Sequence, residues 1–120
     1  MGAFKIVETK KGHTFHLVAA NGEIIGTSQL YHSKAACIKG TESVRNNATA
    51  CKVEDQTEKE SATNPKFEIY KDSKGQFRFR MKALNGKDIL ASEGYASKEA
   101  CKNGIQSVRK NAPKAKVTEE

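Results

Sequence analysis

The segment YHSKAAC at residues 31–37 returns as YASKEAC at residues 95–101. The match extends in both directions, so that residues 4–53 and residues 67–117 align almost from end to end. Self-similarity at a fixed spacing indicates one structural unit that is used twice. The repeat therefore decides the architecture, although it does not by itself define an activity.

Each unit opens with residues of strand character. Phe4 and Ile6 alternate with Lys5 and Val7, a period of two that is typical of a strand with one buried face. Two further β-prone segments follow in each unit, and an Asn-Gly pair separates them. We expect this pair to form a type I′ hairpin turn, in which both central residues have positive φ. Each unit thus begins as a three-stranded antiparallel meander.

A helical period follows each meander. Ser33 and Ser97 are suitable N-caps, because a serine hydroxyl accepts a hydrogen bond from an unpaired amide of the first turn. A glycine in the middle of each helical pattern, Gly40 and Gly104, predicts that the helix backbone packs closely on the sheet. A ligand approaching that backbone is the alternative. A short β-compatible segment then closes each unit.

The small size of one unit favours a merged architecture, because about fifty residues bury too little surface to be stable alone. We predict an α+β fold in which two tandem β-β-β-α-β units form one pseudo-twofold sheet with helices packed on it. The alternative is two separately folded units on a tether. The predicted domain covers residues 1–120, with repeat one at 4–55, a polar linker at 56–66 and repeat two at 67–118.

The composition of the chain indicates its cellular localisation and the redox state of its cysteines. The formal net charge is +7, and the three cysteines are an odd number that does not suggest a disulfide framework. The chain shows neither a signal-peptide pattern nor an apolar run that would span a membrane. We therefore expect a cytoplasmic monomer with reduced thiols and no membrane contact.

Residues that could carry chemistry are few. His13 and His16 lie three apart on a predicted strand, so they point to opposite faces and cannot share a metal ion. Cys37 and Cys101 near a helix N-terminus could be nucleophiles, but their helical stripe favours buried packing. We predict no catalytic residue, no metal and no cofactor, and hence no enzymatic activity. Arg45 and Arg109 are each expected to interact favourably with the end of their own helix.

One basic surface on the second meander suggests a binding function. Phe77, Phe79 and Met81 should face the core, so the alternating cations project from the other face, where Tyr70 of the neighbouring strand joins them. We call this set the basic ridge; it comprises Tyr70, Arg78, Arg80 and Lys82. Cations beside an aromatic ring can hold phosphates while a base stacks. A solvated sheet face without a ligand is the alternative that we favour.

Three motifs of the second repeat resemble the YegP-like family of small, mostly bacterial proteins of unknown function. They are F-x-M-x-A-x-N-G at residues 79–86, I-L-x-S-E-x-Y-x-S at residues 89–97 and G-I-x-S-V-x-x-N at residues 104–111. The resemblance implies one sheet with its final strands exchanged between the units, and dimers for members with one unit. It supplies no catalytic residues. Thr41 departs from the pattern that has Ile105 in the second repeat, which predicts looser packing of the first helix.

The leading functional prediction is a non-enzymatic accessory or interaction protein that acts on an unknown protein partner. The alternative is weak, sequence-tolerant binding of nucleic acid by the basic ridge. Thiol chemistry at Cys101 is a third hypothesis.

Overall fold

The computed structural model describes residues 2–119. Each repeat contributes three strands, one α-helix and one further strand, which confirms the predicted α+β class. In chain order the elements are β1 (Ala3–Thr9), β2 (Gly12–Val18), β3 (Ile24–Thr27), α1 (Lys34–Asn47), β4 (Lys52–Asp55), β5 (Lys66–Lys71), β6 (Phe77–Lys82), β7 (Asp88–Ala91), α2 (Lys98–Asn111) and β8 (Lys116–Glu119). Short 3-10 turns, Gln56–Glu58 and Ala112–Lys114, follow β4 and α2.

The eight strands form one sheet in the order β4-β5-β6-β7-β3-β2-β1-β8. The two meanders meet at its centre, where Thr27 of β3 pairs with Ala91 of β7. At one edge β4 lies parallel to β5, and at the other edge β8 lies parallel to β1. The last strand of each repeat therefore borders the first strand of the other repeat. Lys66, which the sequence boundaries place in the linker, is the first residue of β5.

Both helices pack on one face of the sheet, and one hydrophobic cluster beneath them contains side chains of both repeats. Phe4 and Phe15 meet edge to face with their centroids 5.6 Å apart. Their repeat mates, Phe67 and Phe79, do the same at 6.0 Å. Edge-to-face pairs of this kind are favourable beyond the area that they bury. All four rings are fully buried. The strand alternation predicted from the sequence therefore places them correctly in the core.

The helices begin where the sequence predicts. Ser33 and Ser97 cap them, each accepting a hydrogen bond at 3.1 Å from the amide three residues later. Asn47 and Asn111 are their last residues. Thr41 is fully buried, and its hydroxyl donates to the carbonyl oxygen of Ile38, so the first helix is packed closely at this position. Neither helix within residues 2–119 is long and apolar enough to cross a membrane.

Close contact of the helices with the sheet explains the central glycines. A Cβ atom at Gly40 would lie 2.3 Å from the phenolic oxygen of Tyr31. A Cβ atom at Gly104 would lie 2.5 Å from the corresponding oxygen of Tyr95. Real Cβ atoms do not approach so closely, so the glycines leave room for the two tyrosines. The packing interpretation of these glycines is confirmed.

The Asn-Gly hairpins differ from the predicted type I′ turns. Only the glycine of each pair, Gly22 or Gly86, has a positive φ, at 88° and 84°. In the first hairpin, the amide of Gly22 donates to the backbone carbonyl of Ala19, and the amide of Ala19 donates to the backbone carbonyl of Glu23. This is a three-residue loop with a left-handed glycine, which also joins antiparallel strands. The hairpins are correctly predicted, but their turn type is not.

Two arginines join the repeats at the helix ends. The guanidinium of Arg109 in α2 donates to the carbonyl oxygens of Ala48 and Cys51, at 3.1 and 2.7 Å, just beyond the end of α1. Arg45 in α1 makes the reciprocal bond to the carbonyl of Ala115 beyond α2. Both arginines lie in the last turn of their own helix, where a positive charge is favourable, as predicted. Their hydrogen bonds, which the sequence did not predict, go to the backbone of the other repeat.

Candidate functional site

The basic ridge exists as a geometric feature. Arg78, Arg80 and Lys82 alternate along β6 with buried core residues and point to the face that the helices leave uncovered. Tyr70 pairs directly with Arg78 in the β5–β6 register, so its ring lies on the same face. The structure therefore brings the four sequence-predicted residues together.

Carboxylates neutralise each cation of this ridge. Arg78 Nε is 2.7 Å from Asp72, and Lys82 Nζ is 2.8 Å from Asp88. Arg80 is paired with Glu68, which is nearly inaccessible. A phosphate would have to compete with three carboxylates that are already in place. The sequence could not show these pairs, because two of the carboxylates belong to neighbouring strands.

The tyrosine of the ridge is also engaged. The guanidinium carbon of Arg80 lies 4.4 Å from the centroid of the Tyr70 ring, a cation–π distance. One face of the ring is therefore covered by an internal cation. Binding of nucleic acid at the ridge stays a prediction, and its geometry shows what a ligand would have to displace.

A buried ionic cluster continues from the ridge toward the β4 edge. Lys66 Nζ lies 2.8 Å from Glu54 and 3.0 Å from Glu68, and all three side chains are largely buried. The linker folds over this cluster, because the amide of Ala62 and the side chain of Gln56 both donate to Glu54. The hydrogen bond from Lys66 is the main reason that the pKa of Glu54 is lowered to about 2.

Sequence reasoning missed this cluster. Its two glutamates lie on β4 and β5, and the parallel pairing of those strands is not visible in the sequence. The prediction of a polar linker at residues 56–66 also did not include the hydrogen bonds from Gln56 and Ala62 to Glu54.

The cysteines are inaccessible. Cys37 and Cys101 are fully buried, and Cys51 is nearly so. Burial raises the pKa of all three thiols, and that of Cys101 to about 11. A protonated, buried thiol is a poor nucleophile, so the geometry gives no support to thiol chemistry at Cys101.

The histidines also lack a shared site. His16 lies on the uncovered face, where its Nδ1 is 2.9 Å from the hydroxyl of Thr27. Within residues 2–119, no group of three or more histidine, cysteine or acidic side chains is arranged to hold a metal ion.

Two grooves on the helix-bearing side are related by the repeat. The first has a volume of about 670 Å³ and lies between α1 and the turn that joins β6 to β7 of the other repeat. The second has a volume of about 250 Å³ and lies between α2 and the turn that joins β2 to β3. Tyr31 and Gly40 line the first groove, and their mates Tyr95 and Gly104 line the second. Each groove therefore needs both repeats, which is why neither repeat alone predicts it.

Comparison with known proteins agrees with this architecture. The UPF0339 protein PA0329 of Pseudomonas aeruginosa is 37% identical over 118 residues, which are 98% of this chain and 96% of that protein. A UPF0339 protein of Treponema denticola is 61% identical over 54 residues, which are 45% of this chain and 93% of that protein. The solution NMR structure of yegP from E. coli, described as a protein of unknown function, matches with a TM-score of 0.81 at 34% identity. That match covers 99% of this chain and 92% of the other.

The fold and its paired grooves define a tandem-repeat α+β protein in which each repeat is one copy of a small domain. The family model described as a domain of unknown function, DUF1508, matches residues 9–55 and residues 72–119, once in each repeat. The chain belongs to this family. The resemblance to YegP-like proteins inferred from the three motifs is thus confirmed, and the relatives carry no assigned function.

Proposed function

We propose that the protein is a non-enzymatic cytoplasmic accessory protein that binds a protein partner as a monomer. Support comes from the state of its reactive groups. The three thiols are buried with raised pKa values, and the cations of the basic ridge are paired with carboxylates. Three reduced cysteines are also typical of a cytoplasmic protein.

The observation that carries this proposal is the uncovered face of β1 and β2. Val7 and Thr14 face each other across these strands, with core residues on the opposite side of the sheet. Lys5 pairs with His16 on the same face. These side chains are half-buried or exposed, and within residues 2–119 none of them forms an ion pair like those at the equivalent positions of the second repeat. We infer that the partner binds this half of the sheet.

A matched pair of substitutions tests this surface. Thr14→Asp places a charge on the uncovered face, whereas Ala35→Asp places the same charge on the exposed side of α1. Both variants should fold, which far-UV circular dichroism checks. In quantitative affinity capture from the native host, a partner of this face should be lost with Thr14→Asp and kept with Ala35→Asp. Equal capture by both variants would place the contact elsewhere, and saturable turnover of a substrate would overturn the non-enzymatic proposal.

Nucleic-acid binding by the basic ridge is the second candidate. It is favoured by the position of Arg78, Arg80 and Lys82 beside Tyr70 on one face. It is opposed by the three carboxylates that already pair with these cations. Proteins that bind single strands usually combine unpaired cations with freely accessible aromatic rings. The protein-partner proposal therefore has the better support.

A further inference from the structure

The two repeat-related grooves share one frame but differ in charge. Lys39 and Lys87 line the first groove. Asn103 and Glu23 stand at the equivalent positions of the second. At a third equivalent position, the first groove has Gln29 and the second groove has Glu93. The same concave surface is thus basic in one copy and acidic in the other.

The two lysines of the first groove are available to a ligand. Both are exposed, and in the part of the chain that the structure describes neither ammonium lies within 4.0 Å of a carboxylate. Lys66 and Lys98, by contrast, each contact two carboxylates. The positive charge at the first groove is therefore not neutralised by the protein itself, unlike that of the basic ridge.

The groove also offers an apolar floor and polar walls. Ile89 is almost fully buried, and the half-buried ring of Tyr31 stacks on Phe15 of the core at 6.3 Å. Ser43 and Asn85 add a hydroxyl and an amide at the walls. The groove has a volume of about 670 Å³, which lies within the range of small-molecule sites.

We propose that this groove binds a small organic anion. Its carboxylate or phosphate lies between Lys39 and Lys87, and its apolar body contacts Tyr31 and Ile89. This inference goes beyond the proposed function, because the groove lies on the helix-bearing side of the sheet and not on the uncovered face of β1 and β2. The smaller, acidic groove around Glu23 does not bind such an anion.

Three probes test the ligand class by isothermal titration calorimetry and amide chemical-shift mapping. They are benzoate, adenosine monophosphate and inorganic phosphate. Benzoate and the nucleotide distinguish a carboxylate from a phosphate, and inorganic phosphate shows whether the organic body adds affinity. We expect at least one organic probe to bind at one site and to shift the amides of Lys39, Gly40 and Lys87. Binding of none of the probes, or equal shifts in both grooves, would overturn the proposal.

A charge-matched pair of variants separates the groove from general surface charge. Lys39→Asn with Lys87→Glu gives the first groove the residues of the second at its two lysine positions. Lys11→Asn with Lys74→Glu makes the same change of charge in two exposed hairpin turns. The first variant should weaken binding about tenfold, because it removes two ion pairs. The second should weaken it by less than about twofold, and equal weakening by both would show that no built site exists.

This inference and the proposed function can fail separately. If a probe binds the groove and is chemically converted, the groove is retained and the non-enzymatic proposal is wrong. If the groove binds no probe but Thr14→Asp still abolishes capture of a partner, the anion site is wrong and the accessory function is retained.

Discussion

Arg109 and Cys51 lie 58 positions apart in the sequence, yet the guanidinium of the first donates to the carbonyl of the second at 2.7 Å. The same guanidinium lies 5.5 Å from the ring centroid of Phe67. One side chain thus joins the backbone beyond α1 to the core of the second repeat. Arg45 does the same in the other direction, above Phe4 at 5.6 Å. These reciprocal contacts add to the shared core and the strand pairing that join the two repeats.

Removal of one of these arginines should therefore destabilise the whole molecule. Arg109→Ala leaves the carbonyls of Ala48 and Cys51 without their donors, which should cost about 2 kcal/mol of unfolding free energy. Arg109→Lys should restore only part of this loss, because an ammonium cannot reproduce the planar fork. Urea denaturation measures the difference. Lys110→Ala, at an exposed neighbouring position, is the control, and an equal effect of both alanine substitutions would contradict the assigned contact.

The central glycine of α2 gives a second stability prediction. Gly104→Ala improves helix propensity by about 1 kcal/mol, but its methyl group meets Tyr95 and Phe79 at less than 3 Å. Overpacking of this kind typically costs about 1–3 kcal/mol, so we expect a net loss of about 1 kcal/mol. Asn103→Ala, at the adjacent exposed position, should instead be neutral or slightly stabilising. A Gly104→Ala protein that melts higher than the wild type would show that the tyrosine moves aside without cost.

The buried cluster around Glu54 should make the fold sensitive to acid. The pKa of this carboxyl is about 2 in the folded protein, against an ordinary value of 4.5. Since the folded-state pKa is the lower one, the stabilisation is complete above about pH 4.5 and is lost as the pH falls toward 2. Glu54→Gln should remove about 2 kcal/mol of this pH dependence. Urea titrations across this range measure it, with exposed Glu42→Gln as the control that should keep the wild-type slope.

Burial of the thiols predicts slow alkylation. In the native protein, Cys37 and Cys101 should react with iodoacetamide only when the structure opens, because both are fully buried. An Ala35→Cys variant places a thiol at an exposed position of α1 and should be alkylated at the rate of a free thiol. Mass spectrometry of peptides after short labelling times distinguishes the sites. Rapid modification of Cys101 would revive the hypothesis of thiol chemistry.

The ion pairs of the basic ridge predict negligible affinity for nucleic acid. Labelled single-stranded RNA should bind weakly even at low salt, and Asp88→Asn should strengthen binding by freeing Lys82. Fluorescence anisotropy at two salt concentrations measures both effects. Strong, salt-sensitive binding by the wild type that is lost with Arg78→Ala and Arg80→Ala would favour the nucleic-acid alternative instead.

Local features of this fold could be predicted from the sequence because their causes are local. The hydroxyls of Ser33 and Ser97 cap the helices through bonds that span three residues. The core face of β6 follows from alternation at Phe79 and Met81. The close approach at Gly104 follows from a glycine that helix propensity disfavours.

The remaining features depend on which strand lies beside which. The sequence of a four-residue strand such as Lys52–Asp55 does not indicate which strand it pairs with. Its parallel pairing with β5 is determined by tertiary packing. The buried contacts of Glu54 follow from that pairing. The grooves likewise depend on the placement of one repeat's helix beside the other repeat's turn, which also brings Lys39 and Lys87 to the same surface.

Because of the strand order, the two repeats complete a single sheet only together. A protease cut within residues 56–65 would leave each piece with a strand that borders the other piece. The nicked protein should then behave as a bimolecular complex, with a melting temperature that rises with protein concentration. Separately expressed halves fused to two interacting proteins would therefore serve as a reporter of proximity, because reassembly depends on their local concentration.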